Sequence, residues 1–277
     1  MTTSPASSPP PTMSPNGLLY VYAECGPNVT EEKFHDWYDN EHAPARLTVP
    51  GFLSATRYKS NDFKVPTWLA TYDLTSTKIL STPEYAKLRE TASQNERDII
   101  GSLLGLGRGI YELIDSMHAS GYEVKQGSPV ASGKFVYAVH MQVVGTTSDE
   151  PREIAEQAFL QWYSKTRVPL LSKVPGWMRS RIFRLVDFTE MGGGARTHKG
   201  QNALVNSQLD KPPMKFLALH EWDREGADVT ASHEFKATMV NDDEVPWQVA
   251  LGLKEGEGAP LAEMEDRRFS LYKAFEH

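Results

Sequence analysis

The stretch Phe34-His35-Asp36-Trp37-Tyr38 returns 125 residues later as Phe159-Leu160-Gln161-Trp162-Tyr163. The same offset places Val49-Pro50-Gly51 on Val174-Pro175-Gly176. Seven of the 25 aligned positions from 34 to 58 are identical. The chain therefore contains two copies of one pattern, and this pattern decides which fold it predicts.

The spacing between the copies changes further along the chain. Residues 68–73 correspond to residues 216–221, which lie 148 positions later, so the second copy carries an insertion of 23 residues. A repeat unit this long that occurs only twice predicts a duplicated domain that closes on itself, and not a solenoid. Positions at which the copies differ are therefore the first place to look for function.

In each copy the hydrophobic periodicity changes in the same order. Strands that are apolar on both faces are predicted at 18–24 and 134–144, which indicates a sheet covered on both sides. Thr30, followed by two glutamates, is typical of a helix N-cap. The other predicted elements are strands at 52–59, 67–74, 109–115, 177–186, 215–222 and 269–275, a helix from 151, and helices at 83–94 and 232–240. The order is βαββαβ twice, which is the ferredoxin-like split βαβ motif.

This order predicts an α+β fold. Two helices cover one face of each four-stranded sheet, and the simplest cover for the other face is the second sheet. We therefore predict two tandem ferredoxin-like βαββαβ repeats, packed sheet-to-sheet as an intrachain dimeric α/β-barrel. Because this pairing is satisfied inside one chain, a monomer can be stable, while a homodimer stays open.

Breaks in composition predict the domain boundaries. Residues 1–16 hold five prolines and four serines with no charged or aromatic side chain, which is typical of a disordered tail. The N-terminal half with the active pocket is predicted at 17–115, followed by a linker at 116–133. The C-terminal half is predicted at 134–277, with the insertion at 187–213. This insertion is expected to be a surface loop, with a lid over a pocket as the alternative.

Composition excludes several classes of partner. The net charge is −7, the isoelectric point is near 5.7, and no run of basic residues is available to neutralise phosphates. We therefore expect neither a nucleic-acid partner nor a membrane partner. The single cysteine, Cys25, excludes an intrachain disulfide and a thiolate metal cluster. The sequence also lacks a membrane span or a basic region followed by an apolar one, and we expect a cytoplasmic protein.

The run Trp37-Tyr38-Asp39-Asn40-Glu41-His42-Ala43-Pro44, followed by Val49-Pro50-Gly51-Phe52 and Arg57-Tyr58, resembles the EthD-like branch of the dimeric α/β-barrel superfamily. The resemblance covers residues 17–115, and the second half departs from it because it lacks the Glu-His pair. Members of the superfamily include cofactor-free decarboxylases, cyclases, isomerases and monooxygenases of aromatic and polyketide metabolism, and haem-using relatives. The resemblance thus implies a small aromatic or polyketide-derived substrate, but it does not fix the reaction.

The first helix carries the candidate acid and base. Phe34, Trp37, Tyr38, Glu41 and His42 share one helical stripe, so Glu41 and His42 are expected to continue the apolar face inward. His42 is the candidate general acid/base, because imidazole titrates near neutral pH. The alternative is a structural histidine, with Glu41 bridging to Arg46 or Arg57.

The second copy keeps the aromatic residues of this stripe and exchanges the titratable ones. Thr166 and Arg167 replace Glu41 and His42. Arg167 is a candidate ligand for a substrate carboxylate, although it is also expected to pair with Glu153, Glu156 or Glu221. Further candidate site residues come from the helix and the strands beside it: Tyr58 and Tyr72 for oxyanion stabilisation, and Trp37, Tyr38, Tyr22, Trp68 and His220 for substrate binding, with core packing as the alternative for each.

Together these residues predict a cofactor-free tailoring enzyme that uses acid/base catalysis for a decarboxylation, cyclisation, dehydration or isomerisation. No metal and no cofactor is expected. One alternative is a haem-dependent or cofactor-free oxygenase of the same fold, in which His42, His140 or His220 would be the haem ligand. The other alternative is a non-catalytic protein that binds a small molecule.

Overall fold

The computed structural model describes residues 15–120, 122, 131–145, 152–191, 213–240 and 261–275. Most of the predicted tail and of the predicted insertion, and half of the predicted linker, therefore lie outside the described residues. Two strands run past the predicted boundaries. One continues to His118, past residue 115, and one continues to Met191, past residue 186.

Eight antiparallel strands form a closed barrel within an α+β fold. The order around the barrel is β1-β3-β2-β8-β5-β7-β6-β4. The strands are β1 (Gly17–Glu24), β2 (Ala55–Ser60), β3 (Trp68–Leu74), β4 (Gly105–His118), β5 (Phe135–Val144), β6 (Trp177–Met191), β7 (Phe216–Trp222) and β8 (Leu261–Phe275). We call β1 to β4 the N-terminal half of the barrel and β5 to β8 its C-terminal half.

The helices cover the outer face of the barrel. They are α1 (Glu31–Trp37), α2 (Ala43–Leu47), α3 (Pro83–Glu90), α4 (Gln94–Ser102), α5 (Arg152–Trp162), α6 (Val168–Leu171), α7 (Gly226–Ala231) and α8 (His233–Val240), with π-helical segments at Tyr38–His42 and Tyr163–Arg167 and a 3-10 helix at Thr77–Ser81. As predicted, Thr30 caps α1, because its side chain accepts a hydrogen bond from the backbone N–H of Lys33.

The strands are buried on both faces, as their sequence predicts. Every residue of β3 and of β7 is buried. Alternate residues pack outward against the helices or inward into the barrel. The interior cluster consists of Leu18, Tyr20, Tyr58, Leu69, Tyr111, Val136, Ala138, Phe183, Leu217, Leu219 and Phe269.

The two halves are joined by backbone hydrogen bonds at both seams. β2 pairs with β8, and β4 pairs with β6 from Leu106 opposite Met191 to His118 opposite Arg179. The predicted arrangement of two separate sheets packed face to face is therefore wrong. One continuous sheet closes on itself, because β4, β6 and β8 are longer than the sequence predicts.

The sequence predicts a tight turn in the glycine-rich stretch 103–109, but most of this stretch belongs to a strand. Gly107 and Gly109 lie in β4, and both face the barrel interior. A Cβ atom on Gly107 would lie 2.1 Å from Cζ of Tyr22, and one on Gly109 would lie 2.5 Å from Cε2 of Tyr111. These glycines leave room for tyrosine rings inside the barrel.

Helix α4 is absent from the elements predicted by the sequence, which ended the preceding helix at residue 94. The signal for α4 is Ser93, three residues before Glu96. Ser93 is the N-cap, because its side chain accepts a hydrogen bond from the backbone N–H of Glu96. Ser-x-x-Glu is a known helix start, and this helix carries an essential part of the candidate site.

Candidate active site

A π-helical segment places His42 in the interior. The backbone N–H of Ala43 donates to the carbonyl of Tyr38, five residues earlier, and Pro44 follows with no N–H of its own. A proline at this position removes one ordinary helical hydrogen bond, which favours the wider turn. His42 is 6% exposed as a result. The segment Tyr163–Arg167, which precedes Pro169, has the same geometry.

His42 faces Glu96 of α4. Its Nδ1 lies 3.2 Å from Oε1 of Glu96, within ion-pair distance, although the alignment is not that of a formed hydrogen bond. Arg46 lies 3.3 Å from the same carboxylate oxygen through Nη2 and donates from Nη1 to the carbonyl of His42 at 3.0 Å. The ring of His42 packs against those of Trp37 and Tyr38, at centroid distances of 4.5 and 4.7 Å, and these two rings also contact each other at 5.2 Å.

The surroundings keep His42 neutral and Glu96 ionised. Burial and, to a smaller extent, the charge of Arg46 lower the pKa of His42 to about 3, against the opposing effect of Glu96. Burial opposes ionisation of Glu96, but His42 and Arg46 outweigh burial and lower the pKa of its carboxyl to about 2. A carboxylate beside Nδ1 orients the ring and leaves Nε2 as the base.

Glu41 does not share this interior site. It is half-exposed, and its carboxylate accepts hydrogen bonds from the hydroxyl of Ser93 and, at 3.1 Å, from Nδ2 of Asn95. The prediction that Glu41 continues the inward stripe is wrong, because the π-helical segment rotates the residues that follow Tyr38. Nor does Glu41 bridge to an arginine: Arg46 pairs with Glu96, and Arg57 pairs with Asp39.

Of the candidate tyrosines, Tyr38 packs against His42, and Tyr72 contacts Tyr38. Their hydroxyl groups are 2.9 Å apart and buried, and burial raises the pKa of both phenols. Phe52 packs edge-on against Tyr72, with ring centroids 5.8 Å apart. An aromatic wall thus adjoins the imidazole.

The barrel wall separates Tyr58 and Tyr22 from His42. Both rings belong to or pack against the interior cluster, whereas His42 lies on the outer side among the helices. Successive residues of a strand point to opposite faces of the sheet. By this alternation Tyr58 on β2 and Tyr72 on β3 lie on opposite sides of the barrel wall, so they cannot share one site. Burial raises the pKa of both phenols.

Trp68 lies in the same helix-covered core as Tyr38, and the described ring contacts place it beside His35 and Tyr272. Its ring packs 4.5 Å from that of His35 and 5.2 Å from that of Tyr272 in β8. Arg57 is 1% exposed and lies beneath the ring of Tyr38, at 4.5 Å. Nδ1 of His35 lies 2.8 Å from Nη2 of Arg57, so the half-buried His35 is part of this packing.

In the C-terminal half, a chain of hydrogen bonds occupies the place that corresponds to the Tyr38–Tyr72 contact. His220 is fully buried, its Nε2 lies 3.0 Å from the hydroxyl of Tyr163, and its Nδ1 lies 2.7 Å from the hydroxyl of Ser180. Trp177 donates to Ser180 at 3.0 Å. Burial and, to a smaller extent, the charge of Arg167 lower the pKa of His220 to about 3. Both ring nitrogens are engaged, which suits a structural histidine.

Arg167 donates from Nη1 to the backbone carbonyl of Thr238. Of the acidic partners suggested for it by the sequence, Glu156 pairs with Lys215 at 2.6 Å, and Glu221 points into the barrel. Arg167 therefore contacts α8, the helix that covers this half.

A buried ionic cluster inside the barrel is not evident from the sequence. Arg179 contacts Glu221 through two bonds of 2.7 and 2.9 Å, and Arg181 contacts Asp73 at 2.5 Å and Glu221 at 2.9 Å. Asp73 lies on β3, and the other three lie on β6 and β7. The cluster therefore ties the two halves together through the barrel interior.

The three histidines suggested as haem ligands differ in how their rings are engaged. His220 has no ring nitrogen left for iron, because both nitrogens lie at hydrogen-bond distance from a hydroxyl group, so it does not fit haem ligation as it is packed. The ring of His42 packs against those of Trp37 and Tyr38. His140 lies in the barrel wall beside Tyr20, at 5.6 Å between ring centroids. Within the described ranges no group of three or more His, Cys, Asp or Glu side chains is arranged to hold a metal ion.

None of the helices that the structure describes combines the length and the apolar character that a membrane crossing requires.

No protein-family model matches the chain, and no curated protein matches its sequence. Solved structures match it at low identity. An anthrone oxidase-like protein shares 12% identity, with 95% of this chain and 94% of that chain covered and a TM-score of 0.45. A heme-binding protein from Thermus thermophilus shares 13% identity over 96% of this chain and 94% of its own, with a TM-score of 0.44. A heme-degrading enzyme from Listeria monocytogenes shares 10% identity over 91% and 98%, with a TM-score of 0.33.

Proposed function

We propose that the N-terminal half carries the active site of a cofactor-free enzyme that moves a proton on a small aromatic or polyketide-derived substrate. His42 is the general base, and Glu96 orients it. The observation that carries this proposal is the position of His42, with Nδ1 3.2 Å from Glu96 and its ring packed against those of Trp37 and Tyr38. A buried imidazole beside a carboxylate is an arrangement that suits proton abstraction.

The electrostatics of the pair keep the proposed base unprotonated. At neutral pH the ring is uncharged and its Nε2 can accept a proton. The imidazolium that forms is stabilised by the Glu96 carboxylate and by the enolate or phenolate left on the substrate. We assign the hydrogen bond to that anion to the Tyr38–Tyr72 pair, because the two hydroxyls lie 2.9 Å apart and the ring of Tyr38 packs 4.7 Å from that of His42.

We also propose that the barrel consists of two tandem ferredoxin-like repeats, with halves at 17–115 and 134–277. The pairing order supports this, since β4-β1-β3-β2 in one half matches β8-β5-β7-β6 in the other. The Tyr38–Tyr72 contact and the Tyr163–His220 contact occupy corresponding places in these sheets. Packing is shared, and the titratable residues differ.

The test measures proton exchange on anthrone, an aromatic ketone whose ring CH₂ protons are acidic. Anthrone in D₂O under argon should exchange these protons faster with the wild-type protein than with buffer, as measured by proton NMR. His42→Gln should abolish the acceleration. His220→Gln, which changes a buried histidine of the other half, should lower the melting temperature without affecting exchange.

The same incubation under air decides between reaction classes. Consumption of O₂ that depends on His42 would favour the cofactor-free oxygenase, in which the substrate anion reacts with O₂. Exchange without O₂ consumption favours the lyase or isomerase class. A protein that binds anthrone and does not accelerate exchange would be a binding protein, and the proposal would be wrong.

A further inference from the structure

Glu41 precedes His42 in the sequence and holds the start of α4, the helix that carries Glu96. Its carboxylate accepts hydrogen bonds from the hydroxyl of Ser93 and, at 3.1 Å, from Nδ2 of Asn95. Both of these residues are exposed, whereas Glu96 is buried. Glu41 and His42 therefore contact the same turn of α4, Glu41 from its solvent side and His42 from its buried side.

The hydroxyl of Ser93 links this exposed contact to the position of Glu96. Its oxygen accepts a hydrogen bond from the backbone N–H of Glu96 at 2.9 Å, and its O–H donates to Glu41. Because a hydroxyl has a single proton, donation to Glu41 fixes the rotation of the group while its lone pairs accept from the helix. Glu41 thus restrains both the N-cap of α4 and the backbone of the residue whose side chain faces His42.

The contact between the carboxylate of Glu96 and the imidazole depends on the place of α4. Oε1 of Glu96 lies 3.2 Å from Nδ1 of His42 and 3.3 Å from Nη2 of Arg46. Groups that act together in catalysis have to stay within about 0.5 Å of the productive geometry. A restraint on the first residues of α4 therefore acts directly on the carboxylate that orients the base.

The C-terminal half lacks both members of this arrangement. Thr166 and Arg167 stand at the positions of Glu41 and His42. Thr166 is exposed and carries no carboxylate, and Arg167 contacts a backbone carbonyl of α8. The glutamate is thus present in the half that has the imidazole at the next position, and both are exchanged in the other half.

We propose that Glu41 is a positioning residue, which holds α4 so that the carboxylate of Glu96 stays against Nδ1 of His42. This inference rests on the proposed function, in which Glu96 orients the base. Contacts of a half-exposed carboxylate contribute only about 1 kcal/mol to stability. Loss of Glu41 should therefore affect turnover and the state of the imidazole far more than it affects folding.

The first test is a double-mutant cycle on turnover, measured as anthrone exchange in D₂O. Glu41→Ala should lower the exchange rate by about 10-fold, within the range usual for residues that orient a catalytic group. Added to Glu96→Gln, the same substitution should lower the rate no further, because the carboxylate that it positions is already gone. Losses that multiply in the double variant would overturn the proposal.

The second test measures the tautomer of His42 by ¹⁵N NMR of the imidazole at neutral pH, with His42→Gln to identify its signals. In the wild-type protein Nδ1 should carry the proton and Nε2 should be free of it, since a carboxylate adjoins Nδ1. Glu41→Ala should shift the ring toward the Nε2–H tautomer, and Glu41→Gln, which keeps one acceptor oxygen, should shift it less. An unchanged tautomer in Glu41→Ala would overturn the proposal.

The matched control is Asp98→Ala, which removes another exposed carboxylate of α4 that accepts a hydrogen bond, from Nε2 of Gln94 at 2.7 Å. It should leave both the exchange rate and the tautomer as in the wild type. Equal effects of Asp98→Ala and Glu41→Ala would assign the change to the stability of α4 and would overturn the proposal. Failure of the proposed function is a separate result, since the wild-type protein would then not accelerate exchange, and the tautomer alone would decide whether Glu41 holds Glu96 against the ring.

Discussion

The hydroxyl groups of Tyr38 and Tyr72 meet at 2.9 Å in the interior of the N-terminal half, one from a π-helical segment and one from β3. Both phenols are buried, and each hydroxyl has the other as its partner. At the corresponding place in the C-terminal half, Tyr163 meets the imidazole of His220. A polar contact between helix and sheet is thus kept while its chemistry changes.

Tyr38→Phe and Tyr72→Phe should each lower the free energy of unfolding by about 1–3 kcal/mol, because each leaves one buried hydroxyl without a partner. The double variant should lose less than the sum of the two, and urea denaturation of all four proteins measures this coupling. Tyr111→Phe is the control, since the Tyr111 hydroxyl makes no hydrogen bond within the described part of the chain. Additive losses would contradict the contact.

Variants of the catalytic pair should separate chemistry from packing. His42→Gln should lower turnover by about 10²–10⁴-fold, the usual contribution of general acid/base catalysis. Glu96→Gln should lower it by about 10- to 100-fold, because the ring keeps its place but loses the carboxylate that orients it. Trp162→Phe, on the other side of the barrel, should change stability only. Unchanged turnover in His42→Gln would make this histidine structural.

Stability should fall as the pH decreases below about 6.5. His42 and His220 have folded-state pKa values of about 3, so the unfolded chain binds protons that the folded chain does not bind between pH 6.5 and 3. Each histidine then contributes a slope of about 1.4 kcal/mol per pH unit. Urea midpoints between pH 8 and 5 measure it. His220→Gln should reduce the slope, and an unchanged slope in this variant would contradict the lowered pKa of His220.

Asp73→Asn should destabilise the protein strongly, because it leaves Arg181 in the barrel interior with one carboxylate fewer. Breaking a buried ion pair typically costs about 3–5 kcal/mol. Glu31→Gln is the control, since its pair with Lys59 is exposed and should contribute less than about 1 kcal/mol.

Residues 17–115 alone, which lack Arg179, Arg181 and Glu221, should be insoluble or should self-associate. A well-behaved monomeric half would contradict this role of the cluster.

Gly107→Ala should destabilise the barrel by about 1–3 kcal/mol, because its Cβ would overlap the ring of Tyr22. Gly101→Ala is the opposite case. No atom lies within 4 Å of a Cβ at this position of α4, so alanine should stabilise the helix by about 0.5–1 kcal/mol. Thermal unfolding measures both. Shifts of the same sign for the two variants would show that the lack of space around Gly107 does not determine the effect of its substitution.

The sequence predicted the order of strands and helices, because hydrophobic periodicity reports directly on which faces are buried. It placed Thr30 at the start of α1 and His42 in the interior. It failed for Glu41, since a π-helical turn changes the phase of a helix by one residue. Pro44, which follows this turn and lacks a backbone N–H, was the signal for the turn in the sequence.

Contacts between distant segments could not be predicted from periodicity. Glu96 lies 54 residues after His42, and only the packing of α4 against α1 brings them together. Tyr58 and Tyr72 were grouped because both belong to strands, but alternation in β2 and β3 places them on opposite faces of one wall. Which arginine meets which carboxylate likewise depends on register.

The closed ring leaves free strand edges only where the long strands overhang their neighbours in the described part of the chain. Each strand from β1 to β8 has a hydrogen-bonded neighbour on both sides over part of its length. The overhanging ends, such as 113–118 of β4, 185–191 of β6 and 261–268 of β8, pair on one side alone. Open sheet edges are where foreign chains add a strand, during aggregation as well as in recognition of extended peptides. A second polypeptide that adds a strand to this barrel would therefore meet it at these overhanging ends, and elsewhere it would contact side chains of the helices and strands.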